Sequence, residues 1–574
     1  MLYKNRGIAS RGWRLRASGM LILGALSYSA MLQAQTAQDS EELRRRAQRE
    51  AEERQQQQQA PDVRLPRQAA VDPDALDLPV ETPCFQIRQL RLEGERLDAF
   101  AWAQPWLDRY AGRCVGRGGI ETIVRRLSAQ IIARGYVTTR VALPEQDLST
   151  GILRLQLIPG RIRAIRFADP ATEASWRSAL PIRPGDLLNL RDIEQGLEQF
   201  KRVPSQDADI QIAPGGEAGE SDIVITLKRG KPWRLGFSAD DSGSVANGRN
   251  QGTLSFSLDN PLNLNDLFSF SLSHDLWNDP HTRGTTGHHI QYSIPWGNWT
   301  VSLSDSAWSY RQTIQGQNQT FLSSGDSQTQ ELRIQRLIHR DQSAKTSLQF
   351  RTQVRSSRSY IEHLEILVQR RRNAMAELAL AHRQYFGAAQ LDLTLAHRRG
   401  VPWFGSQADV QGHTDDMPTW RYRINTLDAA LLVPFRLAGL PMRWNSALRL
   451  QQTRDVLFSL DYVSIGNRYS VRGFDGERTL AAERGGYWRN DLEIPLADSG
   501  QQLYLGLDHG RVDGPGARQL AGKQLSGAAL GLRGGRQAGG VGMSYDLFAG
   551  WALQKPAGFV TARPAMGLQI SLQY

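Results

Sequence analysis

The stretch LSFSLD at residues 254–259 and its continuation LFSFSLSHD at residues 267–275 decide the fold of this chain. In the first, Leu254, Phe256 and Leu258 fall on one face and Ser255 and Ser257 on the other; in the second, Phe268, Phe270 and Leu272 oppose Ser269, Ser271 and Ser273. A period of two residues is the signature of a strand with one apolar and one polar face. The same alternation runs to the end of the chain. Val541, Met543, Tyr545, Leu547, Ala549 and Trp551 oppose Gly542, Ser544, Asp546, Gly550 and Ala552, and Leu568, Ile570, Leu572 and Tyr574 oppose Gln569, Ser571 and Gln573. A soluble sandwich also alternates, but each of its apolar faces needs a second sheet to cover it. In an exported chain ending on an aromatic residue, a transmembrane barrel explains more. From about residue 231 to Tyr574 there are about 340 residues, which at roughly ten per strand and as many per connection predicts about 16 strands.

Export is read from the other end. Residues 1–34 carry Lys4, Arg6, Arg11, Arg14 and Arg16 without an acid, then an apolar run from Met20 to Leu32 with small residues at Ala30 and Ala34, which predicts a cleaved signal peptide. The chain is 574 residues long and 22% charged, with a mean hydropathy of −0.44, too polar for a bundle of membrane helices. Losing the five basic residues of the leader lowers the formal charge from +11 to +6, 64 basic against 58 acidic side chains, and nucleic acid is not an expected partner.

Between leader and barrel the pattern changes three times. Residues 35–60 contain EELRRRAQREAEERQQQQQ, good helix formers with almost no apolar face. No hydrophobic core can hold such a helix, so the segment is either a solvated tract or a helix in a polar, water-filled cavity. Residues 61–83 carry Pro61, Pro66, Pro73, Pro79 and Pro83 and read as an extended linker. Residues 84–160 and 161–230 then read as two similar β-α-α-β-β modules. In the first, CFQIRQLRLEG is a strand, GGIETIVRRLSAQIIARG a helix with Ile120, Ile123, Val124, Leu127 and Ile131 at helical spacing, and YVTTRVAL and GILRLQLIPG two more strands. In the second, RIRAIRFAD, LRDIEQGLEQFKR, DADIQIAPG and SDIVITLKRG repeat the order after a short helix candidate, TEASWRSAL.

Cys84 and Cys114 are the two cysteines. In an oxidising compartment they read as a disulfide, two unrelated buried thiols being the alternative. Neither is part of a CxxC motif.

Several segments carry a resemblance. GGIETIVRRLSAQIIARGYVTTRVALPEQDLSTGILRLQLIPGRI at 118–162, QGLEQFKRVPSQDADIQIAPG at 195–215, VRGF at 471–474 and GLDHGRV at 506–512 resemble the outer-membrane transporters of two-partner secretion, the haemolysin- and filamentous-haemagglutinin-type secretion/activation proteins. The resemblance implies two periplasmic POTRA domains at 84–160 and 161–230, a 16-stranded barrel of the Omp85 superfamily at 231–574, and a plug helix within 35–60. It also implies a partner: one large β-helical exoprotein with an N-terminal secretion domain, translocated unfolded to the surface without nucleotide hydrolysis. The transporter would act as a monomer among outer-membrane lipids. An Omp85-type assembly factor is the alternative, although it would usually carry more POTRA units. The client, whether adhesin, haemolysin or contact-dependent inhibition toxin, is not identified by the sequence.

Counting strands back from Tyr574 leaves residues 453–485 as an outer connection without a clean strand, too long to be idle. In QLYLGLDHG, Leu503, Leu505 and Leu507 face lipid, so Tyr504 and Asp508 face the lumen. An acid there wants a cation, and Arg472 of Val471-Arg472-Gly473-Phe474 supplies one if the loop folds inward. The resemblance makes this pair the loop's tether. For client capture by strand addition the expected edges are Tyr136–Leu143, in particular Tyr136, Val137, Thr138, Thr139 and Arg140, and Asp207–Ile212, in particular Asp209, Ile210 and Gln211, with the helix at 120–134 beside them. No catalytic, metal or cofactor site is expected. There is no HExxH and no GxSxG, and GARQLAGKQ from Gly516 lacks the spacing and hydroxyl of a phosphate loop. His509 beside Asp508 points to the opposite face of its strand.

Overall fold

The computed structural model describes residues 39–56, 61–65, 75–172, 174–276, 281–316, 319–496 and 499–574. The expected leader, 1–34, lies outside them. Sixteen long antiparallel strands, from Trp233–Asp240 to Ala565–Gln573, close into a barrel, with the two-residue strand Leu364–Glu365 extending one hairpin. Closure joins the first strand to the last, Phe237 opposite Leu572 and Gly236 opposite Gln573. A closed sheet leaves no backbone edge to lipid, where unpaired N–H and C=O groups would be costly. The apolar residues of the alternation point outward: Leu254, Phe256, Leu272, Leu505, Leu507 and Leu547 are all exposed on the outer wall. Aromatic side chains gather near one rim, where Lys231 lies 3.9 Å over the Trp233 ring and 3.4 Å over that of Tyr574. This rim is periplasmic, because the N-terminal modules meet the barrel there.

Each module places an amphipathic helix on a three-stranded sheet. In the first, Arg117–Ala133 buries Ile120, Ile123, Leu127 and Ile131 against Leu153 and Leu155 of strand Ile152–Ile158, with strand order Gln89–Gly94, Ile152–Ile158, Arg140–Ala142. The linker caps this helix: both Glu81 carboxylate oxygens accept backbone N–H groups, from Gly118 at 2.7 Å and Gly119 at 2.8 Å, where the helix dipole favours an anion. In the second module, Leu190–Lys201 packs Ile193, Leu197 and Phe200 on strands Arg161–Phe167, Glu220–Arg229 and Gln206–Pro214, the last at the edge.

Three expectations of local structure are corrected. CFQIRQLRLEG splits at Arg88: Phe85–Ile87 pairs with Arg113–Val115, while Gln89–Gly94 pairs with Ile152–Ile158, so one apolar run serves two sheets. TEASWRSAL forms no helix. Its described part makes a single turn, Ala179 and Leu180 donating to the Trp176 carbonyl, and Pro181 follows directly. Finally, the strand expected at Tyr136–Leu143 is only Arg140–Ala142. Gly135, at φ 97°, ends the helix, and Tyr136, Val137, Thr138 and Thr139 form a turn. Tertiary packing holds that turn: the Tyr136 ring sits 4.7 Å from that of Phe100, Val137 packs against the second module, and Thr139 Oγ1 accepts a hydrogen bond from Gly160 N at 3.0 Å.

Candidate functional site: a loop and a helix inside the barrel

The 453–485 connection folds into the barrel. It contributes a small hairpin, Val463–Ile465 paired with Leu480–Ala482, and buries Val471 and Phe474 among Ile465, Val512, Leu525 and Phe559. Arg472 and Asp508 meet in a fork: Nε to Oδ2 is 2.8 Å, Nη2 to Oδ1 is 2.7 Å, and the Arg472 backbone N–H donates to Oδ2 at 2.9 Å. Their side chains are 2% and 1% exposed, so the pair sits where solvent screens little. Strand Gln501–Asp513 alternates as its sequence suggests, with Tyr504 and Asp508 inward and Leu505 and Leu507 outward.

Two parts of this site escaped sequence reasoning. The first is Asp491, whose Oδ1 lies 2.5 Å from Arg472 Nη2, so one guanidinium serves two carboxylates. The second is a floor of glycines. A Cβ at Gly527 would fall 1.7 Å from the Arg472 carbonyl oxygen, one at Gly506 2.5 Å from Arg472 Nη2, one at Gly510 2.8 Å from Val471, and one at Gly550 2.6 Å from Gly473 N. Lumen-facing positions of three neighbouring strands lack side chains where the loop lies flat. Gly473 in turn adopts φ 97°, and a Cβ there would meet the Trp551 carbonyl at 2.4 Å. Part of this signal was in the sequence, since Gly506 and Gly510 flank Asp508 at the lumen period; Asp491 lies on another strand, and no local pattern links it to residue 472.

Residues 39–56 form a helix in the lumen. Every turn is ion-paired or hydrogen-bonded to the wall or the loop: Asp39 to Arg371 at 3.0 Å, Glu42 to Arg355 at 3.2 Å, Arg49 to Ser306 at 3.2 Å, Glu50 to Arg449 at 3.0 Å, Glu53 to Arg333 at 2.9 Å and Arg54 to the Tyr487 hydroxyl at 2.9 Å. Arg46 reaches the loop itself, donating to the Leu460 carbonyl at 3.0 Å. The missing apolar face has a physical reason. The wall it meets is the polar half of the alternation, so charge complementarity replaces hydrophobic burial.

The second periplasmic module grips the barrel turns. Arg202 donates to Ser293 Oγ at 2.7 Å and to the Asn265 carbonyl at 2.8 Å, and Arg340 pairs with Glu198 at 2.7 Å and Glu194 at 3.3 Å. Burial alone would raise the Glu198 carboxyl; Lys345 and Arg340 outweigh it and hold that group below the usual carboxylate range. Asp209, Ile210 and Gln211 lie on the edge strand Gln206–Pro214, with Asp209 and Gln211 exposed, whereas in the first module only Arg140 of the five expected residues lies on a strand edge. Cys84 and Cys114 are bonded, their Cα atoms 5.4 Å apart. The bond closes a loop with a sequence separation of 30, which stabilises by about 3.6 kcal/mol in the chain-entropy model. Cys84→Ser is accordingly expected to lower the melting midpoint of the periplasmic region as much as reduction of the wild type does; equal melting of oxidised and reduced protein would remove the bond from the stability account.

The family model for the haemolysin secretion/activation protein ShlB/FhaC/HecB matches residues 219–534. The chain belongs to this family. Within the family frame, a ShlB-type POTRA domain matches residues 85–160 and a second POTRA domain 161–214. The outer membrane transporter CdiB-2 of Burkholderia pseudomallei (strain 1026b) is 44% identical over 561 residues, covering 94% of this chain and 95% of that protein. The haemolysin transporter ShlB of Serratia marcescens is 28% identical over 458 residues, 79% of this chain and 80% of its own length. The solved structure of CdiB from Escherichia coli superposes with a TM-score of 0.81 at 26% identity, covering 93% of this chain and 98% of that one. The chain is thus a two-partner secretion transporter of the outer membrane, its POTRA domains in the periplasm and its 16-stranded barrel in the bilayer. Proteins of this family transport large exoprotein partners.

Proposed function

We propose that the transporter takes one large, β-helical exoprotein from the periplasm, captures it on the POTRA edges and passes it unfolded through the barrel, acting as a monomer and without nucleotide. The observation that carries this reading is the nature of the lumen contacts. The helix at 39–56 is held by ion pairs and hydrogen bonds to a polar wall, and when it leaves, the hydration that both members of each pair regain offsets much of the attraction lost, so the lumen can be cleared for a client. The edge strands Arg140–Ala142 and Gln206–Pro214 offer backbone groups for strand addition. Folding of the client outside the cell supplies the direction, since a folded chain does not return. Among the open clients, the greater identity to CdiB-2 than to the haemolysin transporter favours the kind of exoprotein that CdiB proteins export.

Two measurements test this reading. Co-expression with the adjacent-gene exoprotein is expected to place that protein at the cell surface, and proline at Ile210 and Ile212, whose N–H groups point to the free edge because the alternate residues bond strand Glu220–Arg229, is expected to reduce export severalfold while the barrel still inserts. Undiminished export would exclude that edge as the capture site. Deleting residues 39–56 is expected to raise single-channel conductance in planar bilayers and leave export largely intact; an unchanged conductance would mean that the helix does not restrict the pore.

A further inference from the structure

On the lipid-facing wall the apolar band gives way to arginine toward the outer ends of four neighbouring strands. Strand Ala344–Ile361 presents Leu348 and then Arg358, strand Arg371–Phe386 presents Leu380 and Leu378 and then Arg372, strand Ala389–Val401 presents Leu395 and then Arg399, and strand Arg423–Leu437 presents Leu427 and then Arg423, with Arg421 just beyond. Leu348, Leu378, Leu380 and Leu395 are 40–56% exposed, and Arg358, Arg372, Arg399 and Arg423 are exposed with them on the outside of the barrel. These ends lie on the outer-leaflet side, because the opposite end of strand Ala344–Ile361 carries Lys345, which pairs with Glu198 of the periplasmic module.

In this collar of arginines, Arg423 is already neutralised by Asp455 at 3.3 Å, and Arg358, which shares its register position with Asp326, is left out of the site. The other three are not neutralised. Arg372 donates from Nε to the Phe404 carbonyl at 2.8 Å and from Nη1 to Ser356 Oγ at 3.4 Å; Arg421 donates to the Gln407 carbonyl at 3.0 Å and to Ser406 Oγ at 3.4 Å. These partners are neutral. Among the described residues neither these two arginines nor Arg399 has a carboxylate partner. Beside Arg372 the wall is hollowed into a groove of about 450 Å³, lined by Phe404, by the apolar Ile290, Leu303, Leu332 and Val354, and by polar residues that include Asp305 and Glu331. An unpaired guanidinium at the edge of an acyl layer is costly unless an anion meets it there, and a guanidinium fork fits a phosphate.

We propose that this collar binds a phosphate-bearing, multiply acylated lipid of the outer leaflet, its phosphates on Arg372, Arg399 and Arg421 and one acyl chain in the groove beside Phe404. Charge complementarity selects the headgroup, and the apolar side chains of the groove select a lipid over a soluble anion. The site would orient the barrel against the leaflet on the wall that lies away from its closing seam.

Native mass spectrometry of the full chain in detergent, titrated with bis-phosphorylated lipid A, with the same lipid stripped of phosphate, or with inorganic phosphate, tests the proposal. The wild type is expected to retain the phosphorylated lipid and to bind the dephosphorylated one on the order of a hundredfold more weakly, about fivefold for each arginine. The triple variant Arg372→Gln, Arg399→Gln, Arg421→Gln is expected to lose the same factor, while Arg336→Gln, Arg436→Gln, Arg536→Gln near the periplasmic rim, with the same change of charge, is expected to bind as the wild type does. Equal retention of phosphorylated and dephosphorylated lipid by the wild type would overturn the proposal without recourse to any variant. So would displacement of the lipid by inorganic phosphate at matched concentration, or undiminished binding by a triple variant that shows the heat-modifiable migration of a folded barrel.

Discussion

Arg472→Ala is expected to abolish client export while leaving barrel insertion normal, and to do more damage than Asp508→Ala. The asymmetry follows from the second acid. Removing Asp508 leaves Arg472 within 2.5 Å of Asp491, whereas removing Arg472 strips the strong cationic partner from two neighbouring carboxylates at once. Breaking a buried pair by deleting one member costs about 3–5 kcal/mol, here charged to the docking of the loop and not to the barrel. The double variant Arg472→Ala, Asp508→Ala is expected to be no worse than Arg472→Ala alone, because it loses the same contact and sheds one unpaired carboxylate. Export and protease access to residues 453–485 read this cycle. Defects that simply multiply, together with the absence of a crosslink between cysteines placed at 472 and 508, would show that the two residues do not tether the loop.

Gly527→Val is expected to reproduce the Arg472→Ala defect without touching a charge. Its Cβ would stand 1.7 Å from the Arg472 carbonyl oxygen, a backbone atom that cannot swing aside, so the loop must lift from the wall. Lifting it separates the fork, so export is expected to fall by at least tenfold, the factor that about 1.4 kcal/mol of lost docking produces. Gly542→Ala supplies the comparison: the nearest atom to its Cβ would be the Gln573 carbonyl oxygen at 3.8 Å, ordinary contact, and no defect is expected. Equal export by the wild type and Gly527→Val would mean that the loop need not lie against these strands for transport.

The barrel was legible because its signal is local. A strand facing lipid on one side and water on the other writes its orientation into every second residue, and the approximate strand count followed from length alone. Asp508 could be placed in the lumen by the same parity. Where the reading failed, the deciding contacts came from elsewhere in the chain. Tyr136–Thr139 has strand-like residues, but Gly135 ends the helix and Phe100 and the second module hold the segment as a turn. Arg88 divides an apolar run between two sheets because each half finds a different partner strand.

By itself the sequence determined the periodicities, and with them which faces are apolar, where helices and barrel strands fall, and that a helix without an apolar stripe must either be solvated or meet a polar wall. Tertiary structure decided which charges meet. That Arg472 serves both Asp508 and Asp491, that Glu42, Glu50 and Glu53 find Arg355, Arg449 and Arg333, and that Gly527 clears room for a loop more than fifty residues earlier are all long-range matters. The physical reason is one of range. Hydrophobic periodicity acts on each residue through the solvent it faces, whereas an ion pair or a steric floor exists only once barrel closure has brought distant strands within a few ångströms of one another.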